Sequence, residues 1–563
     1  NIVWAPIQDG IRGISLSANW MGPAKNEGEN SRLYTAVKGI SDFACELGLN
    51  VPTGKDSLSM VQKYSDDVVY SPGTVIITAV GEISHLKRIV EPVVQPNYNS
   101  SLIYVDLSED DFKLGGSSFA QIRNSIGKDA PEIINAKKFA NTFNAIQALI
   151  KDHLILSGHD ISAGGLITTL LEMTFATNES GLNINLIEID ARDDIQLLFS
   201  EKAGVIIQVK DSDIEKVSKA LDQVDSHYHV IGNVNQTRSI SVTTRTNNYI
   251  FDINTLRDTW YRTSYLLDKK QTGGNLAEDR FKNYKSNDLS YRFPAGFEGR
   301  YSSLGLNPDR NSNDAPKAAI IREKGVNGDR EMAYALYLAG FSVKDVHMTD
   351  LISGAEDLWD VNMIAFVGGF SNSDVLGSAK GWAGAFLYNK RAKNALDNFY
   401  ARKDTLSLGI CNGCQLMGEL GLLYPEHENH PKLLHNASGK FESAFVNIEI
   451  PENDSVMLGS LSGSKLGIWV AHGEGKFNLP RAEEDYNIIG KYSGSDYPAN
   501  PNGSDYSVAG IASKDGRHLA IMPHFERSVF PWNWGYYPEN RKGEDVSPWI
   551  LAFKNAREWV DNH

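Results

Sequence analysis

Cys411 lies between an apolar run, Leu406-Ser407-Leu408-Gly409-Ile410, and a helix-forming segment that begins at Asn412. The surrounding string is Gly409-Ile410-Cys411-Asn412-Gly413-Cys414-Gln415. A strand that turns sharply into a helix holds a nucleophile above the sheet, and flanking glycines let the backbone make that turn. The helix N-terminus beneath the cysteine favours the thiolate. Its backbone N–H groups can receive the oxyanion of a tetrahedral intermediate. This pattern calls for alternating strands and helices around a parallel sheet. Lys317–Ile321, Arg330–Gly340, Met363–Val367, Ala392–Tyr400, Leu406–Ile410 and Asn412–Leu420 alternate in that way. Cys414 falls one helical turn on and reads as a packing residue. A Cys411-x-x-Cys414 zinc site would lack a second ligand pair.

A cysteine nucleophile needs a base, and the base needs an orienting group. Met522-Pro523-His524-Phe525-Glu526-Arg527 follows the apolar run Leu519–Met522. On extended backbone His524 and Glu526 point to one side, where a carboxylate fixes the imidazole tautomer. The elbow and the order Cys…His-x-Glu resemble class I glutamine amidotransferases. That resemblance implies thiolate attack on a glutamine amide, release of ammonia, and a thioester that water hydrolyses. It gives the catalytic roles to Cys411, His524 and Glu526. Val367-Gly368-Gly369-Phe370-Ser371 resembles the family's glycine-rich loop, which gives the oxyanion hole to Gly369 and Asn412.

At 563 residues the chain exceeds one ordinary core, so three or more domains are expected. A synthetase-type N-terminal subdomain is expected over 1–92 and a C-terminal one over 93–265. A polar linker or strap is expected over 266–315, and a glutaminase domain over 316–563. The formal charge of −15 argues against nucleic acid as a partner. Three cysteines suit a reducing cytoplasm. No apolar run of about 18 residues suggests a membrane span, and no signal peptide is visible.

Further strings resemble the large single-chain form of phosphoribosylformylglycinamidine synthase. They include Gly28-Glu29-Asn30-Ser31-Arg32-Leu33-Tyr34, Pro52-Thr53-Gly54-Lys55-Asp56-Ser57, Arg322-Glu323-Lys324-Gly325-Val326-Asn327 and His472-Gly473-Glu474-Gly475. The resemblance implies multidomain α/β and α+β architecture: the second half of an aminoimidazole-ribonucleotide-synthetase-like region, then a flavodoxin-like class I glutaminase. It implies ATP-dependent amidation of formylglycinamide ribonucleotide with ammonia from glutamine. ATP and Mg²⁺ are then expected, as is an N-terminal synthetase half preceding this chain, which starts at Asn1 without methionine. Without that half, a complete ATP site is not expected.

Ser157-Gly158-His159-Asp160-Ile161-Ser162-Ala163-Gly164-Gly165 reads as a loop running into a helix, whose N–H groups suit phosphate. An N-cap with close-packing glycines is the structural alternative. By resemblance, Asp160 and Asn1 hold Mg²⁺ and Ser162 contacts ATP. Ala163 stands where the family commonly has Asp. Lys55 and Ser57 are candidates for a phosphate or ribonucleotide contact. Two other readings stay open: a glutaminase serving a different synthetase, and a non-catalytic or redox-sensing scaffold. Against the first, neither a Ser-Gly-Gly-x-Asp-Ser loop nor a P-loop is present.

Overall fold

The computed structural model describes residues 1–286, 289–310 and 315–563. Residues 287–288 and 311–314, inside the expected strap, lie outside the described residues. The chain divides into two compact units, Asn1–Tyr261 and Arg262–His563.

The first unit opens with a three-stranded sheet of β1 (Ile14–Met21), β2 (Asn50–Ser57) and β3 (Thr74–Gly81), ordered β2-β1-β3. Between β1 and β2 runs the helix Glu29–Leu47, closed by Gly48 in the left-handed region at φ 72°. Its C-terminal residues Ala44 and Leu47 are buried, whereas Tyr34 and Val37 are exposed. Lys55 and Ser57 stand on β2, where residue 54 runs so close to β1 that a Cβ there would lie 2.3 Å from the Ala18 carbonyl oxygen.

A seven-stranded sheet follows. It comprises β4 (Ser100–Asp106), β5 (Ser157–Asp160), β6 (Gly181–Asn185), β7 (Gly204–Lys210), β8 (His227–Asn235), β9 (Ser239–Thr243) and β10 (Asn248–Asp252). Its order is β10-β9-β6-β8-β4-β7-β5, with β6 and β9 parallel. Leu102, Ile103, Val105, Ile206 and Ile207 are fully or almost fully buried at its centre. The Ser157–Gly165 segment is therefore not all loop. Its first four residues form the edge strand β5, because their backbone pairs with Val205–Gln208 of β7.

In the second unit the expected strap is partly helical, with Leu276–Asn283 and Tyr301–Leu304 in helices and the end of Ile253–Asp268 just before them. Aromatic packing explains this. Tyr265 stacks on Phe281 at 4.7 Å, and Tyr291 meets Trp534 edge-on at 5.0 Å. A nine-stranded sheet forms the core from β11 (Lys317–Arg322), β12 (Ser342–His347), β13 (Met363–Phe366), β14 (Leu406–Ile410), β15 (Glu442–Glu449), β16 (Lys465–His472), β17 (Asn487–Tyr492), β18 (Val508–Ala512) and β19 (His518–Ile521). Its order is β12-β11-β13-β14-β19-β18-β17-β15-β16. Only the first five strands are parallel; the rest extend the sheet antiparallel. The central parallel strands β13, β14 and β19 are largely apolar because both faces are covered, whereas the edge strand β12 is mostly polar. Every residue of β13, β14, β18 and β19 is buried. Phe366, for one, meets Trp382 and Phe386 edge-on.

Candidate active site

Cys411 sits between β14 and the helix Asn412–Glu419, at φ 51° and ψ −104°. A non-glycine residue in that region stores strain, which the packed sheet and helix must hold. Close approach on both sides explains the glycines. A Cβ on residue 409 would meet Met417 Sδ at 2.5 Å, and one on residue 413 would meet the Phe366 carbonyl oxygen at 2.0 Å. Cys411 is 5% exposed, and its thiol donates to the Ala471 carbonyl at 3.6 Å.

His524 and Glu526 come from the segment after β19. His524 Nδ1 lies 2.7 Å from Glu526 Oε1, with both side chains buried. The expected extended backbone does not continue this far, since residues 525–527 form a 3₁₀ turn. The turn still folds the carboxylate onto the imidazole. Burial opposes charge on His524, but the Glu526 carboxylate and Cys411 outweigh it and push its pKa up to about 10. Gly368 lies against both partners: a Cβ there would fall 2.7 Å from His524 Cε1 and 3.4 Å from Cys411 Cβ. The loop thus brings Cys411, His524 and residue 368 into one site.

Gly369 follows at φ 125°, a value that favours glycine. Asn412 is fully buried, and its Oδ1 accepts the Ser371 N–H at 3.2 Å. Its Nδ2 donates to Gln415 Oε1, and Gln415 Nε2 donates to the Glu474 carbonyl. The two oxyanion candidates therefore lie on different elements, the loop after β13 and the helix after β14, tied together by the Ser371–Asn412 hydrogen bond. Cys414 is fully buried, and burial with Cys411 nearby raises its thiol well above the usual range, which fits packing rather than chemistry.

Sequence reasoning gave no role to Gly368 or to His472. The latter is buried, and burial, then His524, lowers its pKa to about 3, so it is neutral. Its Nδ1 faces Asn436 Oδ1 at 3.2 Å. The string His472-Gly473-Glu474-Gly475 was the only signal for it.

In the first unit, Asp160 ends β5, its Oδ1 accepting Trp4 Nε1 at 3.1 Å and its Oδ2 lying 4.0 Å from the Asn1 nitrogen. Asn1 and Asp160 are thus brought together. Ser162 is exposed in the turn before the helix Gly165–Phe175, and its carbonyl accepts the Gly165 N–H. Not every N–H at this terminus is open to phosphate, since Gly164 donates to Glu201 Oε1 at 2.9 Å. Lys55 Nζ donates to Ser57 Oγ at 2.6 Å. Asp160 Oδ2 lies outside the Trp4 hydrogen bond, and one or two carboxylates plus phosphate oxygens are a usual Mg²⁺ set. One carboxylate oxygen is thus open to such an ion, and no group of three or more His, Cys, Asp or Glu side chains that could hold a metal is found among the described residues.

Comparison with known proteins places three domains along the chain. An FGAR-AT PurM_N-like domain matches residues 1–82 and an AIR synthase related protein C-terminal domain matches 101–245. A CobB/CobQ-like glutamine amidotransferase domain matches 315–560. A probable phosphoribosylformylglycinamidine synthase of Arabidopsis thaliana, named as chloroplastic/mitochondrial, is 38% identical over 100% of this chain and 41% of its own length. The Dictyostelium discoideum enzyme of that name is 38% identical over 100% of this chain and 45% of its own. For the Homo sapiens enzyme the values are 37%, 100% and 44%. This chain therefore spans less than half the length of these relatives, while they match all of it. A PurLQS structure from Thermotoga maritima is 28% identical over 44% of this chain and 98% of its own, with a TM-score of 0.33. No helix among the described residues is long and apolar enough to cross a membrane. From its first residue to its last, this chain matches the C-terminal part of the phosphoribosylformylglycinamidine synthase family.

Proposed function

We propose that the second unit hydrolyses glutamine and that its ammonia serves ATP-dependent amidation of formylglycinamide ribonucleotide. The observation that carries this reading is the buried His524–Glu526 pair at 2.7 Å, set with Cys411 around residue 368. The Cys411 thiolate attacks the side-chain amide carbon, forming a C–S bond as the C=O pair moves to oxygen. N–H groups of Gly369 and Asn412 receive that oxyanion. The intermediate collapses, the C–N bond breaks, and His524 gives the departing nitrogen its proton to release ammonia. His524 then takes a proton from water as the water attacks the thioester, leaving glutamate and free Cys411. Glu526 orients the imidazole and stabilises its cation.

In the first unit, Asp160 with Asn1 would hold Mg²⁺, Ser162 would contact ATP, and Lys55 with Ser57 would contact a phosphate of the ribonucleotide. Bound Mg²⁺ would supply neutralisation of phosphate charge there. Segment divisions near 92, 265 and 315 remain our reading. The ribonucleotide step draws on sequence beyond this chain, an N-terminal synthetase half. The chain spans less than half the length of the relatives it matches, and the apolar strand β3 stands exposed. A free thiol at Cys411 suits a reducing compartment, the cytoplasm in our reading.

The test measures glutamate release from glutamine by the purified chain, then ribonucleotide conversion with ATP, Mg²⁺ and ammonia. Glutamate release that disappears in Cys411→Ala supports the glutaminase. Efficient ribonucleotide conversion by this chain alone would refute the need for further sequence.

A further inference from the structure

The string Arg322–Asn327 has no part in the chemistry above, yet it runs along the glycine loop. The Asn327 N–H donates to the Gly368 carbonyl at 2.8 Å, Phe370 N–H to Gly325 at 3.0 Å, and Asn372 N–H to Lys324 at 2.9 Å. Val326 and Gly369 pair as an antiparallel bridge. Both backbones are pressed together. A Cβ on residue 369 would lie 2.5 Å from Val326 Cα, and one on residue 325 would lie 2.2 Å from the Phe370 oxygen. A contact this close transmits displacement rather than absorbing it.

The Asn327 side chain engages the other half of the site. Its Oδ1 accepts from Arg527 Nη2 at 2.5 Å. Arg527 Nε lies 3.8 Å from Glu526 Oε1 and 3.7 Å from Glu331 Oε1. Glu526 Oε1 is the oxygen that holds His524. At the next position, 328, a Cβ would come 3.3 Å from Arg527 Nη2 and 3.6 Å from Glu526 Oε1. Arg527 is about one-third exposed, so its charge is screened and its place matters more than its Coulomb energy.

Resting on the glutaminase reading, we propose that Asn327 is a positioning residue: its backbone holds the Gly368–Gly369 loop while its side chain holds Arg527 against Glu526. Oxyanion loop and general base are thereby kept in register by one residue that touches neither substrate nor nucleophile.

The test follows alkylation of Cys411 by a diazo-ketone glutamine analogue, separating the maximal rate from the half-saturating concentration. Variants are Asn327→Ala, Asn327→Asp, Arg527→Gln and the double Asn327→Ala/Arg527→Gln, each checked for an unchanged melting temperature. Asn327→Ala and Arg527→Gln should each lower the maximal rate on the order of tenfold, since small misplacements at a reacting centre are costly. Half-saturation should stay within about twofold, the mark of a loss outside ground-state binding. Asn327→Asp keeps the acceptor for Arg527 and should recover most of the rate. The double variant should be no slower than the slower single, because both remove one link. Multiplied losses, a wild-type rate in Asn327→Ala, or a change confined to half-saturation would overturn the coupling. Should Asn327→Ala not fold, Arg527→Gln set against Arg527→Gln/Asn327→Asp carries the same comparison. A wild-type chain that takes no label at Cys411 overturns the functional reading and this inference with it, whereas labelled wild type with multiplied losses overturns the coupling alone.

Discussion

The nine-stranded and three-stranded sheets both contain apolar strands, and β14 in the one and β3 in the other end in opposite states. In the former, Leu406, Leu408 and Ile410 on β14 have no exposed surface. In the latter, Ile76 and Ile77 on β3 are 51% and 39% exposed. Successive strand residues point to opposite faces, so both faces of β3 are open. Val75 and Val80 on β3, and Val69 and Tyr70 on the hairpin that precedes it, are exposed too. An apolar strand therefore shows that a surface is meant to be covered, without showing what covers it. The candidate sites follow the same division. The Cys411 site draws all its groups from one unit's packed loops, whereas Asp160 offers one carboxylate beside an exposed Ser162.

The sharpest break in that contrast is chemical. His524→Ala should lower glutamine hydrolysis by about 10³-fold or more, because triad members act as a unit. If hydrolysis survives, the second unit's site is not self-contained. Gly368→Ala comes next, with a drop on the order of 10²-fold expected from a methyl pressed against His524 and Cys411. Steady-state kinetics on a folded variant check it.

Stability should divide in the same way. Leu408→Ala, in the sealed sheet, should cost about 2–5 kcal/mol in denaturant unfolding of the second unit. His524 adds a pH signature. Its folded pKa is raised from 6.5 to about 10, so its stabilising contribution is complete below about pH 6.5 and is lost as pH rises through about 10. The stability gap between wild type and His524→Gln should therefore close between neutral and alkaline pH. Ile76→Thr, on the open sheet, should change unfolding of the isolated chain by no more than about 0.5 kcal/mol. A core-sized loss there would show that the sheet is covered in solution.

Much of the second unit was legible because each local signal agreed with the fold. The apolar run Leu406–Ile410 forms β14 to the residue, and the glycines at 409 and 413 are where backbones meet. The His524–Glu526 pairing was legible as proximity but not as conformation, since a 3₁₀ turn and an extended strand both place residues two apart near each other. The antiparallel arm β15–β18 escaped because alternating strands do not reveal where a parallel sheet stops. Helices in the expected strap escaped because polar composition hid aromatic contacts such as that of Tyr291 with Trp534, a partner far away in sequence. Asn327 was legible only as part of an unusual string. Its hydrogen bond to Arg527 spans 200 positions, and no local pattern encodes that.

The most direct measurement is to incubate the purified chain with a diazo-ketone glutamine analogue and locate the adduct by peptide mass spectrometry. The account predicts one adduct, on Cys411, absent in Cys411→Ala and strongly slowed in His524→Ala. An adduct on Cys45 or Cys414 with Cys411 untouched would contradict it.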